Sequence, residues 1–336
     1  MLSTAEVFRK RLETGTCLIG VGAYDALSAR LVQAYGFDAI WISSFCVSAA
    51  RGFPDAGLLT LTEILQTTEQ LLQAAEIPAI VDCDNGYGEV AQLSRAVRSL
   101  ERVGAAAISI EDSAFPKRSS LYSIPGRMLV SIEQFTAKIR IAKEAQRSAD
   151  FAIIARTEAL VAGLGISEAL ERAGRYADAG ADLILIHAVT NDTFASVVNV
   201  ARSASLSKPL AIVPTTSWQY TVDDLREAGF KLIIYANQQL RAAAKAMEAV
   251  MIELRASGRI DPVACLLASV EDINRLVGYP EFRALEERHR LLCTPVPDNA
   301  AEKQTSETYP SSSAVLNELP AKSSAMPSLG KIPSEA

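Results

Sequence analysis

Three acidic residues, Asp82, Asp84 and Glu111, follow short apolar runs whose ends would bring them to one face. The first two lie in Asp82-Cys83-Asp84-Asn85-Gly86-Tyr87-Gly88, and the third opens Glu111-Asp112. Carboxylates crowded together repel and hold their protons unless a cation neutralises them. An all-oxygen donor set without histidine or cysteine suits Mg2+ or Mn2+ rather than zinc. Asp55, in the glycine-flanked Gly52-Phe53-Pro54-Asp55-Ala56-Gly57, can add a carboxylate at the margin of such a site. The bland alternative has Asp82 and Asp84 capping the next helix, with Asn85-Gly86 as its turn. It serves for one acidic residue and not for three at adjacent strand ends.

Arg156 ends the apolar run Phe151-Ala152-Ile153-Ile154-Ala155, so its guanidinium must meet an anion. A structural partner is Glu158 or one of the carboxylates above; a substrate carboxylate or phosphoryl group suits the same fork of donors. His187 follows four apolar residues and reads equally as a satisfied core histidine or as a donor to an anionic oxygen. His289, in Glu286-Glu287-Arg288-His289-Arg290, reads as part of a solvated helix face. The long segment Ser113 to Leu121 holds Lys117-Arg118 and continues through Pro125-Gly126-Arg127; it reads as a lid that excludes water, or as an ordinary basic loop. No Gly-x-Ser-x-Gly elbow occurs. Gly20-Val21-Gly22 has Asp25 where a dinucleotide loop needs its third glycine. The residues alone describe a Mg2+-dependent enzyme that acts on a small dianion or trianion and stabilises an enolate.

What must position these groups is visible as an internal echo. Gly36 to Ile42, Gly104 to Ile110, Gly180 to Ile186 and Gly229 to Tyr235 each place a glycine before a continuous apolar run. The glycine suits the left-handed stop of a preceding helix, and the run suits a strand buried on both faces. Cys17 to Val21, Ala79 to Asp82, Ala152 to Ala155 and Leu210 to Val213 supply four more strands. Thr60-x-x-Glu63 and Ser131-x-x-Gln134 have capping-box form ahead of helical patterns. Eight alternating units spell a (β/α)8 TIM-type barrel, with an open doubly wound sheet as the alternative. Reactive groups of a barrel belong at the C-terminal ends of its strands, where Asp82, Glu111, Arg156 and His187 all fall.

Composition sets the outer bounds. Of 336 residues, 49% are hydrophobic and 21% charged, enough apolar surface for a sizeable core. One barrel absorbs about 250 residues, so residues 1–293 form a catalytic domain with C-terminal helices. Residues 294–336 carry six of the fourteen prolines and eight serines without any period, and read as a disordered tail. The net charge of −6 without a basic block argues against nucleic acid. No signal peptide and no span of about 20 apolar residues appears, and the five scattered cysteines suit a reducing cytoplasm.

At these residues the sequence resembles the isocitrate lyase/phosphoenolpyruvate mutase superfamily, in its phosphoenolpyruvate mutase and phosphonopyruvate hydrolase branch. The likeness spans Phe8 to Arg288 and rests on Trp41-Ile42-Ser43-Ser44, the segment Asp82 to Gly88, Ile154 to Gly163, Ile184 to His187, Ile212 to Thr215 and Ala236-Asn237. The resemblance implies Mg2+ held directly by Asp84, with Asp82, Glu111 and Asp55 holding its waters. It implies that Ser43 and Ser44 bind the substrate carboxylate beside Trp41, that Arg156 and His187 grip phosphoryl oxygens, and that Lys117 belongs to a gating loop. It further implies phosphoenolpyruvate and phosphonopyruvate as substrates, a role in phosphonate biosynthesis, and homodimers or homotetramers that exchange a final helix drawn from Pro262 to Leu276 or Tyr279 to Leu292. Lyases of the group place a cysteine after Lys-Lys or Lys-Arg, and here Ser119 follows Lys117-Arg118. Mutases carry Glu-Asp-Lys and, five residues later, Asn-Ser; this chain has Ser113 and Ser119 at the Lys and Asn positions. Ser119 therefore leaves mutase and hydrolase both open. A non-catalytic barrel with a partner-recruiting tail is the reading from another class, and it requires no metal at Asp84.

Overall fold

A computed structural model describes residues 2–120, 122, 127–203 and 206–293. The tail from 294 and residues 121 and 123–126 of the basic loop lie outside the described residues. Eight parallel strands close on themselves in chain order, β1 pairing with β8. They are β1 (Leu18–Ala23), β2 (Ala39–Ile42), β3 (Ala79–Asp82), β4 (Ala107–Glu111), β5 (Ala152–Thr157), β6 (Leu183–Ile186), β7 (Leu210–Ile212) and β8 (Leu232–Tyr235). Helices α1 (Thr4–Glu13), α2 (Ala26–Ala34), α3 (Ser44–Ala50), α4 (Leu61–Ala74), α5 (Val90–Arg102), α6 (Ile132–Ala145), α7 (Gly165–Asp178), α8 (Asn191–Ser203), α9 (Val222–Glu227) and α10 (Gln238–Ser257) alternate with them. All eight expected strands are present, and the barrel replaces the open-sheet alternative.

The stops work as the glycine pattern requires. Gly36, Gly104, Gly180 and Gly229 all have positive φ, between 74° and 105°, a region where a Cβ would be strained. Both expected capping boxes form: Thr60 and Ser131 accept from the backbone N–H three residues on, and Glu63 and Gln134 reach back. A third box, Ser3 with Glu6, starts α1, a helix absent from the sequence reading. Phe8 of α1 is fully buried among inward-facing strand residues such as Leu18 and Leu183, so α1 plugs the N-terminal end of the barrel. Arg9 fixes the plug through Asp182, at 3.0 Å.

Strand side chains alternate between two cores. Ile40, Ile42, Val81, Ile108, Ile153 and Ile184 face the helices, whereas Ala39, Trp41, Ile80, Ala107, Ile154 and Leu185 fill the barrel. Extending the inward series two or four residues toward the C-terminal end reaches Ser43, Asp82, Glu111, Arg156 and His187. Strand parity thus delivers the chemistry to the mouth.

Beyond the barrel the expected helix from Pro262 to Leu276 is broken. A 3-10 turn over Asp261–Leu266 ends in extended Leu267, and Ser269 caps a separate α11 (Val270–Leu276). The second expected helix is α12 (Tyr279–Cys293), in a separate compact unit that starts at Gly278. Neither α10 nor α11 buries a residue, and Met247, Met251, Ile252, Leu266, Leu267 and Val270 are exposed. No helix among the described residues is long and apolar enough to cross a membrane.

Gly22 on β1 packs against the chain leaving β8. A Cβ there would stand 2.0 Å from the Ala236 carbonyl oxygen. We expect Gly22→Ala to cost at least about 1–3 kcal/mol in urea unfolding, because backbone rather than a side chain must yield.

Candidate active site

The strand ends enclose a cavity of about 50 Å³ lined by Trp41, Ser43, Ser44, Asp55, Asp82, Lys117, Ser119, Ser120, Arg156, His187, Thr215 and Asn237. That is room for a few waters, each of which needs at least about 10–15 Å³ of such space. Beside it, a hollow of about 660 Å³ around Trp218, Tyr220, Tyr235, Arg241 and Lys245 shares Thr215 but has no carboxylate in its lining.

Arg156 is the hub. Its Nε donates to Glu158 Oε1 at 2.5 Å, and Nη2 donates to Ser120 Oγ at 3.0 Å. Nη2 also lies 3.4 Å from Glu111 Oε2, and Nη1 lies 3.9 Å from Asp82 Oδ2. The structural partners expected for Arg156 are therefore present, and its remaining directions face the cavity. His187 Nδ1 sits 2.7 Å from Glu158 Oε1 and 2.9 Å from Arg156 Nη2. One ring nitrogen cannot donate to the first and accept from the second, so the tautomer decides which bond forms. Burial and the neighbouring Arg156 hold the His187 pKa below its ordinary value, against the pull of Glu158.

Glu158 emerges as more than a bland partner. It is fully buried; burial opposes its charge, but Arg156 and His187 outweigh that and hold its pKa well below the carboxylate range. Arg127 comes within 3.9 Å of its second oxygen and donates to the Arg118 and Ser119 carbonyls, tying the basic loop to the site. Behind Glu158, Asp112 accepts from Glu158 N at 2.8 Å, Thr157 Oγ1 at 2.8 Å, Tyr176 Oη at 2.7 Å and Arg172 Nη1 at 3.1 Å. Neither Arg127 nor Asp112 stood out in the sequence as a site residue. Arg172 offered a signal, being charged on a helix face otherwise made of Ala169, Ala173, Tyr176 and Ala177.

Across the cavity, Lys117 leaves the basic loop and points inward, whereas Arg118 is exposed. Its Nζ donates to Ser44 Oγ at 3.0 Å and to Asp55, and lies 2.6 Å from Asp84 Oδ1. Burial disfavours the ammonium, yet Asp84, Asp55, Asp82 and Glu111 together raise its pKa. The base of the loop is pinned where Ala114 N donates to the Met128 carbonyl at 3.0 Å. Ser43 caps α3 with its own Oγ accepting from Cys46 N, which orients the first amides of α3 toward the strand ends.

The three carboxylates do not close into a direct cage. Among the described residues no group of three His, Cys, Asp or Glu side chains converges on one ion position. Glu111 and Asp82 face Arg156, whereas Asp84 and Asp55 face Lys117. The donor set nevertheless fits Mg2+, which keeps several waters and takes one or two carboxylates. Asp84 Oδ1 is buried against the Lys117 ammonium at 2.6 Å, whereas Glu111 Oε2 is buried 3.4 Å from Arg156 Nη2 without a hydrogen bond. Burial pushes the Glu111 pKa up to about 8 despite Arg156, and burial likewise raises that of Asp84. The helix-capping alternative fails: α5 begins at Val90 after Glu89, and Asp84 adopts a left-handed φ of 51°. That conformation costs a non-glycine residue about 1–2 kcal/mol.

Known proteins are similar to the chain in sequence and fold. The signature of the family described as phosphoenolpyruvate phosphomutase matches residues 8–255. The chain belongs to that family. It is 38% identical to the phosphoenolpyruvate phosphomutase of Streptomyces hygroscopicus over 85% of this chain and 90% of the relative. It is 37% identical to the phosphonopyruvate hydrolase of Variovorax sp. over 84% and 98%. A solved phosphoenolpyruvate phosphomutase from Streptomyces platensis superposes with a TM-score of 0.81 at 38% identity, covering 85% of this chain and 99% of that one. A phosphonopyruvate hydrolase in complex with oxalate and Mg2+ gives 0.79 at 36% identity, covering 86% and 100%. The family lies within the PEP mutase/isocitrate lyase superfamily.

Glu158→Gln keeps the shape and removes the charge that Arg156 and His187 share. We expect a loss of about 3–5 kcal/mol in urea unfolding, the usual result of stripping one partner from a buried ion pair.

Proposed function

We propose that the protein interconverts phosphoenolpyruvate and phosphonopyruvate, moving a phosphoryl group between the oxygen and the methylene carbon of pyruvate enolate. The observation that carries the reading is the split of the cavity wall. Arg156 and His187 line one part of the cavity and Asp55, Lys117 and the start of α3 another, with Asp84 Oδ1 2.6 Å from Lys117 Nζ. Phosphoryl transfer needs little covalent help from protein, only positioning and charge stabilisation. Arg156, anchored through Nε to Glu158, would present its other nitrogens to the phosphoryl oxygens, with His187 beside it. The first amides of α3, with Ser43 and Ser44, would hold the pyruvate carboxylate against Trp41. Asp84 would hold Mg2+ directly, with Asp82, Glu111 and Asp55 holding its waters. The ion when bound supplies positive charge for the enolate. Lys117 would close the pocket and keep water from the transferring group.

Hydrolysis of phosphonopyruvate is the second reading, favoured by Ser119. Its short hydroxyl side chain lines the cavity at the position where mutases carry Asn. Either activity fits an assembly in which a second copy covers the exposed apolar residues of α10 and α11, and either fits a cytoplasmic enzyme.

Phosphorus NMR with Mg2+ and phosphonopyruvate separates the readings. Appearance of phosphoenolpyruvate is the expected outcome; inorganic phosphate alone establishes the hydrolase, and an unchanged spectrum removes both. Asp84→Ala and Arg156→Lys should each lower turnover by at least about 100-fold, the scale of losing one positioned charge. Circular dichroism should show the barrel retained. Ser119→Asn should shift products away from inorganic phosphate in the same assay.

A further inference from the structure

The segment between β3 and α5 carries Asp84 in a backbone that should not hold itself. Besides Asp84, Tyr87 has a left-handed φ of 62°, and Gly86 and Gly88 are also positive, at 93° and 136°. Two non-glycine residues in this region within four positions persist only where the surroundings over-determine them. On one side β4 does so, Glu111 N donating to the Asp84 carbonyl at 2.8 Å, and within the segment Gly86 N donates to the Cys83 carbonyl at 2.9 Å. The far half of the segment has no strand beside it. There Lys138, reaching in from α6, donates through Nζ to the Asn85 carbonyl at 3.0 Å and the Gly88 carbonyl at 2.9 Å. One ammonium therefore brackets the reversal at Gly86 and Tyr87.

The placement is costly, which makes it informative. Lys138 is buried on the helix face it shares with Phe135, Ile139 and Ala142. Among the described residues no carboxylate lies within ion-pair distance of its Nζ, and burial lowers its pKa. A methionine would fill the same space without stranding a charge. What the lysine adds is a pair of carbonyl bonds to the segment that holds Asp84.

We propose that Lys138 is a positioning residue for divalent metal, clamping the β3–α5 segment so that Asp84 meets the ion in one fixed geometry. This rests on the reading of Asp84 as the metal-holding carboxylate. Partners that orient a ligand from behind typically change metal affinity about 10–100-fold when removed.

The test uses the full chain and Mn2+ alone, with free Mn2+ read by electron paramagnetic resonance, and amide hydrogen exchange of residues 83–89. Lys138→Met should weaken Mn2+ binding at least about 10-fold and speed exchange in that segment. Lys138→Arg, which keeps both donors, should restore most of the affinity. Unchanged Mn2+ affinity and exchange in Lys138→Met, with only a lower Tm, would overturn the proposal and make Lys138 a structural staple. Mn2+ that fails to bind the wild type would overturn the metal reading of Asp84, and this inference with it. Should Lys138→Met not fold, Lys138→Gln keeps one donor group and should fall between Met and wild type; wild-type affinity there would equally refute the clamp.

Discussion

The guanidinium of Arg156, at the end of a strand otherwise buried in hydrocarbon, sets the terms for the rest of the mouth. Isolated in that position it would be prohibitively costly, so charge must be gathered around it. Glu158 takes one edge, Glu111 and Asp82 stand at longer range, and Ser120 accepts from Nη2, the nitrogen nearest Glu111. Asp112, Arg172 and Tyr176 then fix Glu158 from behind. A cation so thoroughly anchored cannot reorient when an anion arrives, and that preorganisation is what stabilises charge in a reaction. Stability and function draw on the same bonds here.

The opposite wall has the reverse problem, a surplus of negative charge. Lys117 answers part of it with one ammonium among Asp55, Asp84 and Ser44. Asp84 there is raised above its ordinary pKa, by burial first and then by Asp82 and Asp55 beside it, despite Lys117. A hard divalent ion with its waters is the chemistry that such a surplus suits, and a pyruvate enolate is the anion that such an ion suits. The two walls together are what the proposed substrate, a phosphoryl group joined to a small oxo acid, would require.

Much of this was legible in the sequence because barrels repeat. The glycine-then-apolar echo marked four strands and short apolar runs between them marked the other four, and the strand ends marked Asp82, Glu111, Arg156 and His187. Helix α1 escaped notice although Ser3-x-x-Glu6 has capping-box form, because a short helix before the first strand has no place in the repeat. Pro262 to Leu276 read as one helix since apolar spacing says nothing of the extended residue at Leu267. The supporting residues were harder still. Lys138 and Arg172 are charges on apolar helix faces, an anomaly visible in sequence, but their partners are backbone carbonyls and a carboxylate about fifty and sixty residues distant. Only closure of the barrel brings those together. Ser113, which donates to Glu111 Oε1 at 2.6 Å, is similar: its contact is local, yet its meaning depends on where Glu111 points.

The central claim is that a divalent ion and the anchored guanidinium jointly recognise one compact dianion. Calorimetric titration of oxalate into the full chain, with and without Mg2+, tests it directly. The account predicts saturable one-to-one binding with Mg2+ present and at least about 100-fold weaker binding without it. Equal affinity under the two conditions, or no binding in either, would contradict the account.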